Sequence, residues 1–273
     1  MIEGKQAVMF QKKREPGNEA ANRNCTAPEK RLLISDLDDT LLGDTEALRR
    51  FQAFHAEVGD RLVLVYATGR FFESVVEDVR TTSLPEPLTV IGGVGSEIRS
   101  YPGGEQDPAW VARLSHQWSA RRVRELLSAE PGLELQPESS QSGFKASFFL
   151  RDAPPEQRDH LKTELLKAGI RANIIYSSNR DLDILPAAAD KGSAAAFLAQ
   201  SLGFDRNRVI VAGNSGNDAR LFEQAFYGII VSNAHEELKR YADQDRVYLS
   251  PHARADGVRD GLRHWMRTQE ESS

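Results

Sequence analysis

The sequence predicts an α/β protein: a doubly wound, mostly parallel, Rossmann-like sheet with a smaller α+β lobe inserted into it. Three observations predict this. The apolar runs are short, β-branched and continuous rather than alternating, as parallel strands buried on both faces require. Each run is followed by a turn containing Gly or Asp and then by a stretch with helical spacing, which is the order of βαβ units. Between about Pro102 and Tyr176 that order gives way to a different one.

Along the chain, residues 1–29 are polar, contain Lys12-Lys13-Arg14 and lack the apolar centre of a secretion signal, so a flexible tail is expected there. The strand runs begin at Arg31 and are Leu32-Leu33-Ile34, Leu62-Val63-Leu64-Val65, Leu88-Thr89-Val90-Ile91 and Val209-Ile210-Val211-Ala212. The interrupting region reads as one long amphipathic segment from Trp110 to Leu127, a strand over Ala146 to Leu150, a helix after Pro154-Pro155 and a strand over Ala172 to Tyr176. Trp110 and Trp118 fall close to one face of that segment and are expected in a core. Turn-rich Pro102-Gly103-Gly104 and Ser177-Ser178-Asn179 suit hinges. The expected division is a main domain of residues 30–104 and 178–273 and an inserted lobe of residues 105–177, which a chain of 273 residues is long enough to support.

Hydrophobic residues at 40% and charged residues at 27% describe a globular chain, not a disordered or fibrous one. A formal charge of −5 leaves no basic footprint for a phosphate backbone, so nucleic acid is not an expected partner. No apolar run approaches the roughly 20 residues of a membrane span, so no membrane partner is expected either. The single Cys25 excludes an internal disulfide framework, and a cytoplasmic setting is expected. The six histidines show no spacing that suggests zinc.

In open α/β sheets, ligands sit outside the carboxyl ends of the strands, so the residues after each apolar run matter most. The first run ends Ser35-Asp36-Leu37-Asp38-Asp39-Thr40, where extended backbone turns Asp36 and Asp38 to the same side. Two adjacent carboxylates call for a positive charge between them, and magnesium takes one or two carboxylates plus water and phosphate oxygens. Helix capping accounts for one such acid, not for three in four positions. The second run ends Tyr66-Ala67-Thr68-Gly69-Arg70, which reads equally as a phosphate cradle or as a plain N-cap. Lys191, in Asp190-Lys191-Gly192, opens a helix and reads either as a point charge for a phosphoryl group or as a solvated surface lysine. The loop Gly213-Asn214-Ser215-Gly216-Asn217-Asp218 is dense in oxygen donors suited to a cation, or is an ordinary turn.

Taken in order, Asp-x-Asp-x-Thr, Thr-Gly-Arg, Lys and Gly-Asn-Ser-Gly-Asn-Asp resemble the haloacid dehalogenase superfamily of aspartate-nucleophile phosphatases, over about residues 31 to 265. Within it the chain is similar to sucrose-phosphate phosphatases and relatives acting on other disaccharide phosphates, including mannosylfructose phosphate. This likeness is carried by Tyr66 to Arg70, Val94 to Ile98, the Trp110 to Trp118 region, Phe144-Lys145-Ala146-Ser147 and Ser177 to Pro186.

The resemblance implies the haloacid dehalogenase fold with a cap, a magnesium cofactor and a sugar phosphate substrate. By matching position it implies Asp36 as the nucleophile forming an aspartyl-phosphate, Asp38 as general acid and base, and Thr68 and Lys191 as holders of phosphoryl oxygens. It implies a metal bound by Asp36, the Asp38 carbonyl and the last loop. Relatives carry Asp where this chain has Asn214, so either the Asn214 amide oxygen ligates directly or Asp218 compensates. Thr68, Gly69, Arg70 and Asn217 are expected among the substrate-binding residues. Lys145 and Glu97 are candidates for sugar hydroxyls, because charged groups bind hydroxyls more strongly than neutral ones. Three further readings stay open: a different sugar phosphate as substrate, a phosphomutase, and a noncatalytic sugar-phosphate sensor or partner of a glycosyltransferase.

Overall fold

The computed structural model describes residues 30–270; the tail expected over 1–29, with Cys25, lies outside the described residues. Eleven strands are present in this region: β1 (Arg31–Ser35), β2 (Leu62–Ala67), β3 (Thr89–Gly92), β4 (Glu97–Ser100), β5 (Glu134–Leu135), β6 (Ala146–Phe149), β7 (Ala172–Ser177), β8 (Asp181–Pro186), β9 (Val209–Gly213), β10 (Tyr227–Ile230) and β11 (Val247–Leu249). Nine helices accompany them: α1 (Thr45–Val58), α2 (Phe72–Thr81), α3 (Pro108–Ser115), α4 (Ala120–Leu127), α5 (Pro155–Lys167), α6 (Lys191–Ser201), α7 (Ala219–Phe222), α8 (Glu236–Lys239) and α9 (Arg254–Glu270).

The main sheet has the order β11-β10-β9-β1-β2-β3-β4 and is parallel except for β4, which turns back on β3. The chain builds outward from β1 through β2 and β3, then returns to place β9 on the other side of β1. The strand order therefore reverses at β1, which opens a crevice beyond its carboxyl end, and Asp36 is the first residue past that end. β1 and β9 are buried along their whole length, as the continuous apolar runs predict. The Rossmann-like α/β class is thus the architecture of the protein.

The second sheet, β5-β6-β8-β7, is antiparallel throughout and packs its own core around Phe148, Leu161, Leu182 and Ile184. Its extent differs from the sequence expectation at both ends. β8 belongs to this sheet, so the lobe runs to Pro186 rather than stopping at residue 177. Ser178 and Asn179, expected as a hinge, form the tight turn between β7 and β8, with φ of +55° and +50°, values that suit a hairpin turn. At the other end, α3 packs its Trp110 and Leu114 into the main core.

The single amphipathic segment expected from Trp110 to Leu127 is two helices. Gln117 takes a positive φ of +55°, and Ser119 restarts the chain as the N-cap of α4, accepting the Arg122 N–H. The two tryptophans consequently part company. Trp110 is fully buried in the main core and donates to the Gly95 carbonyl, whereas Trp118 packs against the small core and donates to the Gly143 carbonyl. Among the described residues, no helix is long and apolar enough to cross a membrane.

Candidate active site

Asp36 is only 4% exposed, and its backbone N–H is held by the Ala212 carbonyl of β9. Its two carboxylate oxygens have separate partners: Oδ2 accepts the Thr40 hydroxyl at 3.0 Å and Oδ1 accepts the Lys191 ammonium at 2.7 Å. Lys191 is the first residue of α6, whose N-cap, Asp190, accepts the Ser193 N–H. Gly192 follows because the backbone of Arg220 passes so close that any Cβ there would lie 2.1 Å from its carbonyl oxygen. This close approach draws Lys191 inward.

Lys191 is wholly buried and spends all three of its protons, on Asp36, on Asn217 Oδ1 at 2.8 Å and on Asp218 Oδ1 at 2.6 Å. Burial alone would depress its pKa, but the Asp218 and Asp36 carboxylates outweigh burial and push it up to about 12. Asp36 moves in the same direction for the opposite reason. Burial, with repulsion from Asp218 second, raises its carboxyl from 3.8 to about 7 despite Lys191. One buried ammonium faces two buried carboxylates, so the cluster is short of positive charge.

Asp38 is different in kind. Its side chain is 53% exposed and gripped by Arg70, whose Nε donates at 2.9 Å; the same guanidinium reaches Asp78 at 2.6 Å. Arg70 thereby aims Asp38 across the opening instead of standing free. Thr68 is buried and caps no helix: α2 starts at Phe72, and Thr68 Oγ1 accepts the Arg70 N–H two residues on. The cap of α2 comes from elsewhere, since Glu97 Oε1 accepts the Phe72 N–H at 2.8 Å while Oε2 accepts Arg99. Glu97, expected on sugar hydroxyls, lines the cleft but has both oxygens committed to holding α2 and Arg99 in place.

The last loop corrects another expectation. Asp218 is fully buried, its Oδ2 accepts the N–H groups of Asn214 and Ser215, and its Oδ1 takes Lys191. It therefore stands behind Lys191 and shapes the loop instead of presenting a free oxygen to a metal. Gly213 permits this arrangement, because a Cβ there would come within 2.7 Å of the Asp218 side chain. Asn214, by contrast, is buried and makes no side-chain hydrogen bond with any described residue. Among the described residues, no three His, Cys, Asp or Glu side chains converge as a metal cluster.

The two lobes enclose a cleft of about 770 Å³. Asp38, Gly69, Arg70 and Asn217 line it from the main domain, and Lys145 and Asp183 are among the residues lining it from the small one. Asp36 lies two contacts below its floor, joined through Lys191 to Asn217. Lys145 is 5% exposed, sits 3.3 Å from Asp183 Oδ1, donates to the Gly69 carbonyl at 3.4 Å and lies over the Phe71 ring. It is the side chain that ties the small sheet to the Thr68-Gly69-Arg70 turn.

Sequence reasoning gave no role to Thr40, although it quoted it in the motif, nor to Asp183 and Gln141. Asp183 also accepts the Ser147 hydroxyl at 2.6 Å, and Gln141 closes onto β6 through Ser147. Asp183 meets Ser147 only through the pairing of β6 with β8, which no local spacing reveals.

A buried carboxylate between a hydroxyl and an ammonium, with a second carboxylate aimed over the same opening, is the equipment of a phosphoric monoester hydrolase. The comparisons agree. Residues 29–266 match the family described as sucrose-6F-phosphate phosphohydrolase, and the chain belongs to that family, as a sugar phosphatase within the haloacid dehalogenase superfamily. It is 41% identical to the mannosylfructose-phosphate phosphatase of Agrobacterium fabrum, over 86% of this chain and 96% of the relative. It is 36% identical to a probable sucrose-phosphatase 3a of Arabidopsis thaliana over 80% of this chain, and the match spans 54% of that plant protein. In structure it resembles the sucrose-phosphatase from Synechocystis sp. PCC6803 in complex with sucrose and phosphate, with a TM-score of 0.81, 35% identity and coverage of 87% of this chain and 98% of that one.

Proposed function

We propose that this chain hydrolyses a disaccharide phosphate, of the sucrose 6-phosphate or mannosylfructose phosphate type, to the free sugar and inorganic phosphate. The observation that carries this reading is the buried Asp36–Lys191–Asp218 cluster lying under a two-lobed cleft wide enough for more than one sugar ring. The names of the Agrobacterium fabrum and Synechocystis relatives support the disaccharide phosphate class.

In the first half-reaction an Asp36 oxygen attacks phosphorus, the bond from phosphorus to the sugar oxygen breaks, and Asp38 gives its proton to that oxygen. In the second, Asp38 takes a proton from water, the water oxygen attacks phosphorus, and the aspartyl oxygen leaves. Thr68 and Lys191 hold phosphoryl oxygens, Lys191 giving up one of its three protein contacts to do so, and Arg70 positions Asp38. Gly69 offers its edge of the cleft, and Lys145 presents a charge to the sugar.

The site fits magnesium. It is short of positive charge, and its unclaimed donors are hard oxygens, the Asp38 carbonyl and the Asn214 amide, which follow the ends of the paired strands β1 and β9 as Asp36 does. When bound there, the ion supplies charge that keeps Asp36 ionised and offsets the charge of the phosphoryl group.

A phosphate-release screen across mono- and disaccharide phosphates, with and without magnesium and compared by kcat/KM, tests the reading. The expected result is a disaccharide phosphate at the top, with stoichiometric free phosphate. Preference for a monosaccharide phosphate, or phosphate moved to a second position on the sugar, would overturn it. Association with the glycosyltransferase that makes the ester, and a cytoplasmic setting, are separate expectations that co-purification and fractionation check.

A further inference from the structure

The seam between the lobes also opens away from the main cleft. A cavity of about 440 Å³ lies there, lined by Arg158 and Lys162 of α5, by Tyr176 of β7, and from the main domain by Asn217, Arg220 and Arg240. Its charge is opposite to that of the main cleft. Four cations face two carboxylates, Asp159 and Glu223, in the seam cavity, whereas the main cleft sets four cations against six carboxylates.

Glu223 is already spent, on Arg220 at 2.5 Å and on the Tyr241 hydroxyl at 2.8 Å. Arg158, Lys162 and Arg240 form no ion pair with any described residue. Two of these cations are held in place by rings. The Arg158 guanidinium lies 5.1 Å from the Tyr176 centroid, and Arg240 lies 4.9 Å from that of Tyr241, to whose oxygen it also donates. Stacking fixes the plane of a guanidinium and leaves its edge to bind a planar or tetrahedral oxyanion. Arg158 Nε is moreover buried without any partner.

We infer that the seam cavity binds a small oxyanion, either free phosphate or the phosphate of a phosphorylated metabolite, between Arg158 and Lys162 of one lobe and Arg220 and Arg240 of the other. Its occupant touches the loop that serves the active site, because Asn217 lines both cavities and accepts Lys191. An anion held from both lobes restrains their separation and so couples anion concentration to the opening that exchange of substrate and product requires.

Calorimetric titration of the full chain in EDTA, where turnover does not intervene, tests this with inorganic phosphate and, separately, with glucose 6-phosphate. The expected result is two classes of site in the unaltered protein. One class is lost in the Arg158→Ala, Arg240→Ala double variant, each guanidinium removed weakening it about tenfold. Arg121→Ala, which removes an exposed cation paired with Glu125 on α4, leaves both classes unchanged. A larger loss for glucose 6-phosphate assigns a phosphorylated metabolite to the seam, and equal losses assign free phosphate. Isotherms identical in the folded double variant and the unaltered protein, or a single class of site in both, would overturn the inference. If the double variant misfolds, Lys162→Gln alone, at an exposed position, carries the same prediction at smaller amplitude. With no turnover involved, the outcome is independent of which ester the main cleft hydrolyses.

Discussion

The floor and the roof of the main cleft are built on opposite principles. The floor is a set of buried charges hung from the ends of parallel strands: Asp36, Lys191 and Asp218 are at most 4% exposed and hold one another at 2.6 and 2.7 Å. The roof is a short antiparallel sheet whose polar residues meet across strands, with Lys145 against Asp183 and Ser147 at the β6–β8 pairing. In the floor every charge is fixed by at least two contacts and the balance of charge is the functional variable. In the roof the one buried ammonium, Lys145, is matched by one carboxylate, Asp183, so no shortage of charge arises there, and the proposed role of this sheet is to meet the sugar. Floor substitutions should therefore act on turnover and roof substitutions on substrate affinity.

The sharpest way to break that division is at Asp36. Asp36→Asn should lower kcat by about 10³-fold or more for every phosphate ester, because the oxygen proposed to attack phosphorus is gone. It should also change stability in a pH-dependent way. The Asp36 carboxyl is raised from 3.8 in the unfolded chain to about 7 in the folded one, so the folded state binds the extra proton between those values. Without metal, the stability contributed by this one group is fully present below about pH 4 and is lost as pH rises through 7. Melting temperatures in EDTA from pH 4.5 to 8 should show this loss in the unaltered protein, and the variant should gain on it as pH rises. A constant gap across that range would remove the charge-shortage account of the floor.

Asp38→Asn comes next. It should cost about 10²-fold in kcat with a sugar phosphate and distinctly less with p-nitrophenyl phosphate, whose leaving group needs no proton. An equal loss on both would mean that Asp38 acts only by holding Arg70.

The floor was legible in the sequence because each of its parts is a local signature: an apolar run, then a carboxylate or a lysine at a strand or helix end. The doubly wound class followed from the same runs, and Asn214 stood out by its departure from the motif. What the sequence hid depends on contacts between distant segments. Thr68 and Gly69 read as a helix start because Thr then Gly after a strand usually is one, yet Glu97, 25 residues on, caps the helix instead. Asp218 read as a ligand because it is an acid in an oxygen-rich loop, yet Lys191 and two backbone N–H groups claim it. The lobe was cut short at 177 because Ser-Ser-Asn punctuates a hairpin turn and a hinge with the same residues.

The roof is tested by Lys145→Met. The substitution keeps the length of the side chain but removes its charge, and Asp183 retains the Ser147 hydroxyl. KM for a disaccharide phosphate should rise about tenfold with kcat little changed, while p-nitrophenyl phosphate should be indifferent. A fall in kcat on both substrates would place Lys145 with the floor, acting through its contact to Gly69.

The smallest effect is the most discriminating, because it asks whether the charge of the floor is tuned. Asn214→Asp adds a third carboxylate beside a cluster that already has two and a single ammonium. If Asn214 faces the metal, the half-saturating magnesium concentration should fall severalfold, since a hard divalent ion gains from the added charge. The same substitution should lower the melting temperature in EDTA above pH 7, where Asp36 is ionised and the new carboxylate is unneutralised. Both changes are needed. A lower melting point with an unchanged magnesium requirement would place the side chain next to the cluster but off the metal. An unchanged melting point would mean that the added charge is solvated, and the shortage of positive charge would then be confined to Asp36, Lys191 and Asp218.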